Sequence, residues 1–225
     1  MGSALIIGTS GSGKSTGARN LDPVETIIIK VIEKDLPFKH GRKNYNVSKK
    51  NSITSDDPEL IIKAIEKINT NKKIKTLIID DAQYIMANQF MRRAKEKGYE
   101  KFTDIGESFW RVMKVCISCR EDLDVFVLSH SEESEFGKVK LKTIGKMVDE
   151  KIDIAGMFTT VLKTEYIDGK YLFRTKTEGN DCIKSPMGLF DEEYIENDLL
   201  LVKKALGSYY DDEDENDPSI KKDKK

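Results

Sequence analysis

Continuous runs of branched apolar residues alternate with stretches of helical periodicity along this chain. Ala4-Leu5-Ile6-Ile7, the segment 26–32, Thr76-Leu77-Ile78-Ile79 and Val125-Phe126-Val127-Leu128 show no polar alternation. Short runs of this kind, bounded by turn residues, predict strands buried on both faces. Between the second and third runs, Asp56-Asp57-Pro58-Glu59 is a helix start, with an acidic cap and an early Pro. Leu60, Ile61, Ala64, Ile65 and Ile68 then give one apolar face. Helices are expected over 83–97, ended by Gly98, and over 104–120, with Ile105, Phe109, Val112, Met113 and Cys116 along one side and Trp110 packing beside them.

The pattern changes in the last third. Two strands, 159–167 and 170–177, flank Asp168-Gly169, a two-residue hairpin signal. Residues 185–190 read as a loop and 191–206 as the last helix. From Tyr209 the apolar pattern stops, and an acidic block precedes a run of lysines. One domain over 1–207 and a disordered acidic then basic tail over 208–225 follow. The fold class is α/β: a mostly parallel sheet flanked by helices, with a C-terminal antiparallel hairpin.

The first strand runs straight into Gly8-Thr9-Ser10-Gly11-Ser12-Gly13-Lys14-Ser15-Thr16, which fits G-x-x-x-x-G-K-[ST], the phosphate-binding P-loop. The glycines let the backbone turn so that successive N–H groups cradle phosphate oxygens at the start of a helix over 16–21. Lys14 is placed for the β- and γ-phosphates and the Ser15 hydroxyl for Mg²⁺. The pattern predicts a nucleoside triphosphate, ATP, with Mg²⁺ as cofactor.

Hydrolysis needs more than a cradle. Asp80, at the end of an apolar strand, fits the acid that holds Mg²⁺. Asp81 beside it is placed to polarise an attacking water, or alternatively to cap the following helix; Glu33, after the second strand, competes for the same task. His130, at the end of the 125–128 strand, is either a γ-phosphate sensor or a structural imidazole. The candidate catalytic set is therefore Lys14, Asp81, Glu33 and His130.

Bulk properties narrow the classes. With 38% apolar and 34% charged residues in 225, the chain can build one core and remain charged outside. A formal net charge of −1 gives no global signature of a nucleic-acid binder, so any such surface rests on local patches. The segment 37–50 is one basic patch, read as a solvated surface loop or as a strip for a polyanion. No run reaches the roughly 18 apolar residues of a membrane span. Met1-Gly2-Ser3 leads directly into a strand, so no signal peptide is expected. Cys116 and Cys119 form a C-x-x-C without a second pair, which favours packed helix thiols over zinc and fits a reducing cytoplasm.

Taken together, Gly8–Thr16, Leu36-Pro37-Phe38, Ile79-Asp80-Asp81-Ala82-Gln83-Tyr84, Lys101-Phe102-Thr103-Asp104-Ile105-Gly106, Leu128-Ser129-His130 and Lys184-Ser185-Pro186-Met187-Gly188-Leu189-Phe190 resemble the phage-encoded P-loop ATPases with a RecA-like core, some of which act as single-strand annealing recombinases. The resemblance implies an ATPase of phage DNA recombination or replication that works on single-stranded DNA in the host cytoplasm. It also implies a homo-oligomer, ring or filament, with a cation borrowed from the neighbour; Lys138, Lys140, Lys142 and Arg174 lie where such a group could project. It keeps Glu33 in play, because the RecA group carries its catalytic Glu after the second strand. The charged stretch 131–142 departs from the Gly-rich DNA loops of that group. The acidic tail would restrain DNA binding or recruit a basic partner. A P-loop nucleotide or small-molecule kinase, and a slow-turnover nucleotide-dependent scaffold, are the alternative functions.

Overall fold

The computed structural model describes residues 2–134, 137–145 and 151–211. The apolar runs form the parallel heart of one sheet: β1 (Ser3–Gly8), β2 (Thr26–Lys30), β4 (Thr76–Asp80) and β5 (Asp124–Glu133), joined by β3 (Ser52–Thr54) and β7 (Thr160–Ile167). The sheet is completed by β8 (Lys170–Arg174) and β9 (Tyr194–Glu196), with strand order β3-β2-β4-β5-β1-β7-β8-β9; β6 (Val139–Leu141) pairs with β5 off this path. Pairing is parallel from β3 to β7 and antiparallel for β7–β8, β8–β9 and β5–β6. The mostly parallel α/β sheet with an antiparallel C-terminal addition is the expected fold, of the RecA-like P-loop class. Its hallmark is that β5 is inserted between the P-loop strand β1 and the acid strand β4.

Strand alternation explains the two layers. Leu5, Ile7, Ile27, Ile29, Leu77, Ile79, Val125 and Val127 face a core shared with helices α2 (Pro58–Thr70), α3 (Tyr84–Arg92) and α4 (Glu100–Ile117). Ala4, Ile6, Ile28, Ile78, Phe126 and Leu128 face the opposite way, onto Ala18 and Leu21 and onto Leu199, Val202 and Leu206 of α5 (Leu199–Asp211). Both faces being covered is why these strands read as unbroken apolar runs. The Asp168-Gly169 turn has φ of 47° and 80°, the doubly positive geometry of a two-residue hairpin.

Several expectations are corrected. The helix expected over 16–21 is present as a 3-10 helix, Ser15–Asn20. The span 191–206 is not one helix: Tyr194–Glu196 forms a strand, and the helix begins only at Leu199, where Asp198 accepts the Leu200 amide at 2.9 Å. The helices expected over 83–97 and 104–120 run over Tyr84–Arg92 and Glu100–Ile117. The basic segment contains a short helix α1 (Gly41–Asn44), the 3-10 turn Val47–Lys49 and then β3, rather than loop alone. His130 does not end its strand, because β5 continues to Glu133 and turns into β6. Leu60 lies outside the buried face of α2 and is 56% exposed. The helix α5 runs to Asp211, so the tail expected from 208 begins inside it, and positions 212–225 lie outside the described residues.

Phe109 on α4 is fully buried in the larger core. Phe109→Ala is expected to cost about 3–5 kcal/mol through lost burial and an unfilled cavity. Leu60→Ala should stay within about 0.5 kcal/mol. Urea denaturation of the two variants against the parent chain checks this; equal costs would contradict the core assignment.

Candidate functional site

The parallel register brings three strand ends level. Gly8 lies beside His130, and Asp80 beside Lys30. The C-terminal ends of parallel strands are where α/β ligand sites form. Positive φ at Gly11 (79°) and Gly13 (101°) bends the P-loop into the concavity that turns successive amides inward. Gly8 has no room for a side chain, because a Cβ would strike Thr164 and Ser12. Ser12 Oγ is tied to the Thr9 carbonyl at 2.7 Å and to Thr164 Oγ1 at 2.5 Å, so the loop is braced by β7. A 3-10 turn of six residues carries a weak dipole, so anion affinity here rests on the loop amides and on Lys14.

Lys14 is 5% exposed, and its Nζ donates to the carbonyls of Gly8 (2.8 Å) and Thr9 (2.7 Å). Burial lowers its pKa to about 8 against the opposing pull of Asp81 and Asp80. Ser15 Oγ donates to Asp80 Oδ1 at 2.7 Å. Asp80 is 1% exposed, its Oδ2 has no hydrogen-bond partner, and burial raises its pKa. A desolvated carboxylate oxygen beside a serine hydroxyl is a hard-oxygen donor pair that fits Mg²⁺.

Asp81 is 3% exposed and adopts the left-handed backbone, φ 62°. An Asp there carries backbone strain of the kind found at functional sites. Its carboxylate is ion-paired with Lys34 and lies 3.7 Å from His130 Nε2. Helix α3 takes no side-chain cap, so capping does not explain Asp81. Burial and the Lys14 ammonium depress the pKa of His130, favouring a neutral ring, which packs edge-on against Tyr84. Lys14, Ser15, Asp80, Asp81 and His130 therefore converge. Glu33 does not join them: its side chain is 75% exposed and bonded to Lys30 and Thr54. Thr9 and Ser10 lie on the exposed side of the loop, and Thr16 is half-buried on the 3-10 turn.

Sequence reasoning missed three residues here. Lys34 pairs with Asp81. Gln83 Oε1 accepts the His130 amide at 3.1 Å, joining the acid strand's exit to β5, while its Nε2 is buried without a partner. Asn197 is 1% exposed beside Gly13 and Gly17 with neither amide atom bonded. The acidic pair and P-loop point to none of these: Lys34 and Asn197 arrive from other segments, and Gln83, two residues after Asp81, acquires its role only from His130 on β5.

A family model described as AAA domain matches residues 2–183, most of the chain. The chain belongs to the AAA domain family. Its P-loop, acid strand and inserted strand are thus those of a nucleotide-binding ATPase domain. No curated protein matches the sequence. Among the described residues no helix is long and apolar enough to cross a membrane.

The arginines and cysteines are otherwise engaged. Arg174 is 2% exposed and held by Glu165, Glu178 and Asp181, so it does not project toward a neighbour as expected. Cys116 is buried, and burial drives its thiol pKa upward; Cys119 lies just past the end of α4.

The depressed Lys14 pKa gives a signed pH dependence. Its folded pKa, about 8, is below the ordinary 10.5, so the unfolded chain holds the extra proton between those values, and stability rises with pH across that window. Binding of triphosphate needs the ammonium and should weaken as pH rises above about 8. Lys14→Met is expected to remove the stability gain, and Lys14→Arg to flatten the binding profile. Thermal melts and ATP titrations from neutral to alkaline pH test both.

Proposed function

We propose that this AAA domain is a Mg²⁺-dependent ATP hydrolase, and that the observation carrying this reading is the convergence of Lys14, Ser15, Asp80, Asp81 and His130 where β1 and β4 end beside β5. The loop Gly8, Thr9, Ser10, Gly11, Ser12, Gly13 and Lys14, with Ser15 and Thr16, binds the phosphates. Ser15 and Asp80 hold the metal ion, which when bound supplies charge neutralisation at the phosphate oxygens. Asp81 orients a water and takes its proton as the new P–O bond forms and the bond to the departing ADP breaks. Lys34 shares the Asp81 carboxylate before attack, and neutral His130 is placed to donate toward the γ-phosphate. Glu33 is a poorer base, because its carboxylate is 75% exposed and stands outside the converging set.

The substrate-level reading is an enzyme of phage DNA recombination or replication acting on single-stranded DNA in the host cytoplasm, as an annealing or recombinase accessory. It is supported by the resemblance of the 36–38, 101–106 and 184–190 stretches and by cations around β6. Lys138, Lys140 and Lys142 lie on or beside β6, which pairs with Ser131, Glu132 and Glu133 of β5 just beyond His130. Lys142 donates its amide to the His130 carbonyl at 2.8 Å, so the sensor position and the basic hairpin share a backbone. Assembly as a ring or filament would place a neighbour's cation over the phosphates. Within one chain Arg19, Arg42, Arg92, Arg93, Arg111, Arg120 and Arg174 all hold carboxylate or carbonyl partners, and Lys140 is paired with Glu132.

Asp81→Asn keeps a residue that tolerates the left-handed backbone. It should retain ATP binding and lose about 10²–10⁴-fold in kcat. Glu33→Gln should turn over near the parent rate. The reverse result would transfer the base to Glu33. Single-stranded DNA should stimulate hydrolysis, with an apparent affinity that falls as salt rises; an ATPase assay with and without an oligonucleotide measures both, and indifference to DNA would remove the DNA reading.

A further inference from the structure

The P-loop has two flanks. On one lie Asp80, Asp81 and His130, where the terminal phosphate and its acids belong. On the other a cavity of about 670 Å³ opens between the 3-10 turn and the β8–β9 strands, walled by Thr16, Tyr171, Tyr194, Glu192, Glu196 and Asn197. Its size is that of a small-molecule site.

Three features of this cavity lie outside the phosphate chemistry. The Tyr171 ring touches the P-loop: a Cβ on Gly13 would lie 2.9 Å from it and 2.9 Å from Asn197 Nδ2. Tyr171 is 45% exposed and leans on Tyr166, itself 61% exposed, with ring centroids 4.7 Å apart. The two tyrosines are cross-strand partners in the β7–β8 pairing, and much of their ring surface beside the phosphate loop stays open to solvent. Asn197 presents a donor and an acceptor that are buried and unbonded at the cavity wall. The lining charges balance rather than favour a further phosphate: Glu192 and Glu196 line the cavity with Lys170 and Arg19, and Arg19 is paired with Glu196 at 2.7 Å.

We propose that this cavity seats the nucleoside half of the nucleotide, with Tyr171 stacking on the base and the glutamates and Asn197 meeting its N–H and O–H groups. A triphosphate lying along the loop with its terminal phosphate at the acids has its nucleoside end on the opposite flank, where the cavity is. A neutral, flat, donor-rich group fits a site of tyrosines and carboxylates, and a purine offers the larger stacking face. The assignment rests on the P-loop reading above and adds to it a determinant of base recognition.

Calorimetric titration of the full chain with ATP and, separately, with inorganic tripolyphosphate separates the two readings. Tyr171→Ala should weaken ATP at least about fivefold, in line with one lost base–aromatic stack, and leave tripolyphosphate unchanged. Tyr171→Phe should restore ATP binding. Lys14→Ala should weaken both ligands. Equal weakening of both ligands by Tyr171→Ala would reduce the ring to a brace for Gly13, and no change in either would remove it from the site; each overturns the proposal. So would a loss confined to binding of a single-stranded oligonucleotide, which would make the tyrosine pair a nucleic-acid platform. If Lys14→Ala affected neither ligand, the P-loop reading itself would fall, whatever Tyr171 did.

Discussion

The hydrogen bond from Ser15 Oγ to Asp80 Oδ1, 2.7 Å long, joins the 3-10 turn that follows β1 and the P-loop to the end of β4, a strand that does not pair with β1. β5 lies between β1 and β4, so the bond forms only if both flanking registers are right. A slip of one residue in either pairing would turn the alternating side chains over and carry Asp80 or the P-loop to the other face. The two buried faces prevent that slip, because each strand has a distinct apolar set committed to each layer. The site's precision is thus inherited from the core.

That core leaves the polar groups short of partners where chemistry is expected. Asp80 is buried with one oxygen unbonded, Gln83 with its Nε2 unbonded, and Asn197 with both amide atoms unbonded. Each is costly in a folded chain unless something completes it. All three sit around the P-loop or the exits of β4 and β5, whereas the deeply buried Arg174 is surrounded by three acids. The contrast separates a structural ion cluster from groups poised for a ligand.

How legible this was depends on the distance over which each feature is encoded. The P-loop reads from nine consecutive residues, since its glycines, lysine and hydroxyl act on one backbone turn. Asp80-Asp81 reads from the abrupt end of an apolar run. The choice between Asp81 and Glu33 does not, because both follow strands; only placement shows one buried at 3% exposure and the other in solvent. Lys34, Gln83 and Asn197 are ordinary polar residues in sequence and acquire meaning from segments far along the chain. β3 and β9 are three residues each, too short for periodicity to register. Leu60 fits the helical repeat yet faces out, as the edge of an apolar stripe often does.

The ion pair between Lys34 and Asp81 adds a side-chain tie where β2 and β4 already pair, with Lys30 beside Asp80. Lys34 lies in the connection that leads from β2 to the basic segment, and Asp81 follows directly on the buried acid strand. Any event that changes the charge at that carboxylate therefore changes the tension on a surface strip several residues away. Through that ion pair the inner acid answers to the outer cations.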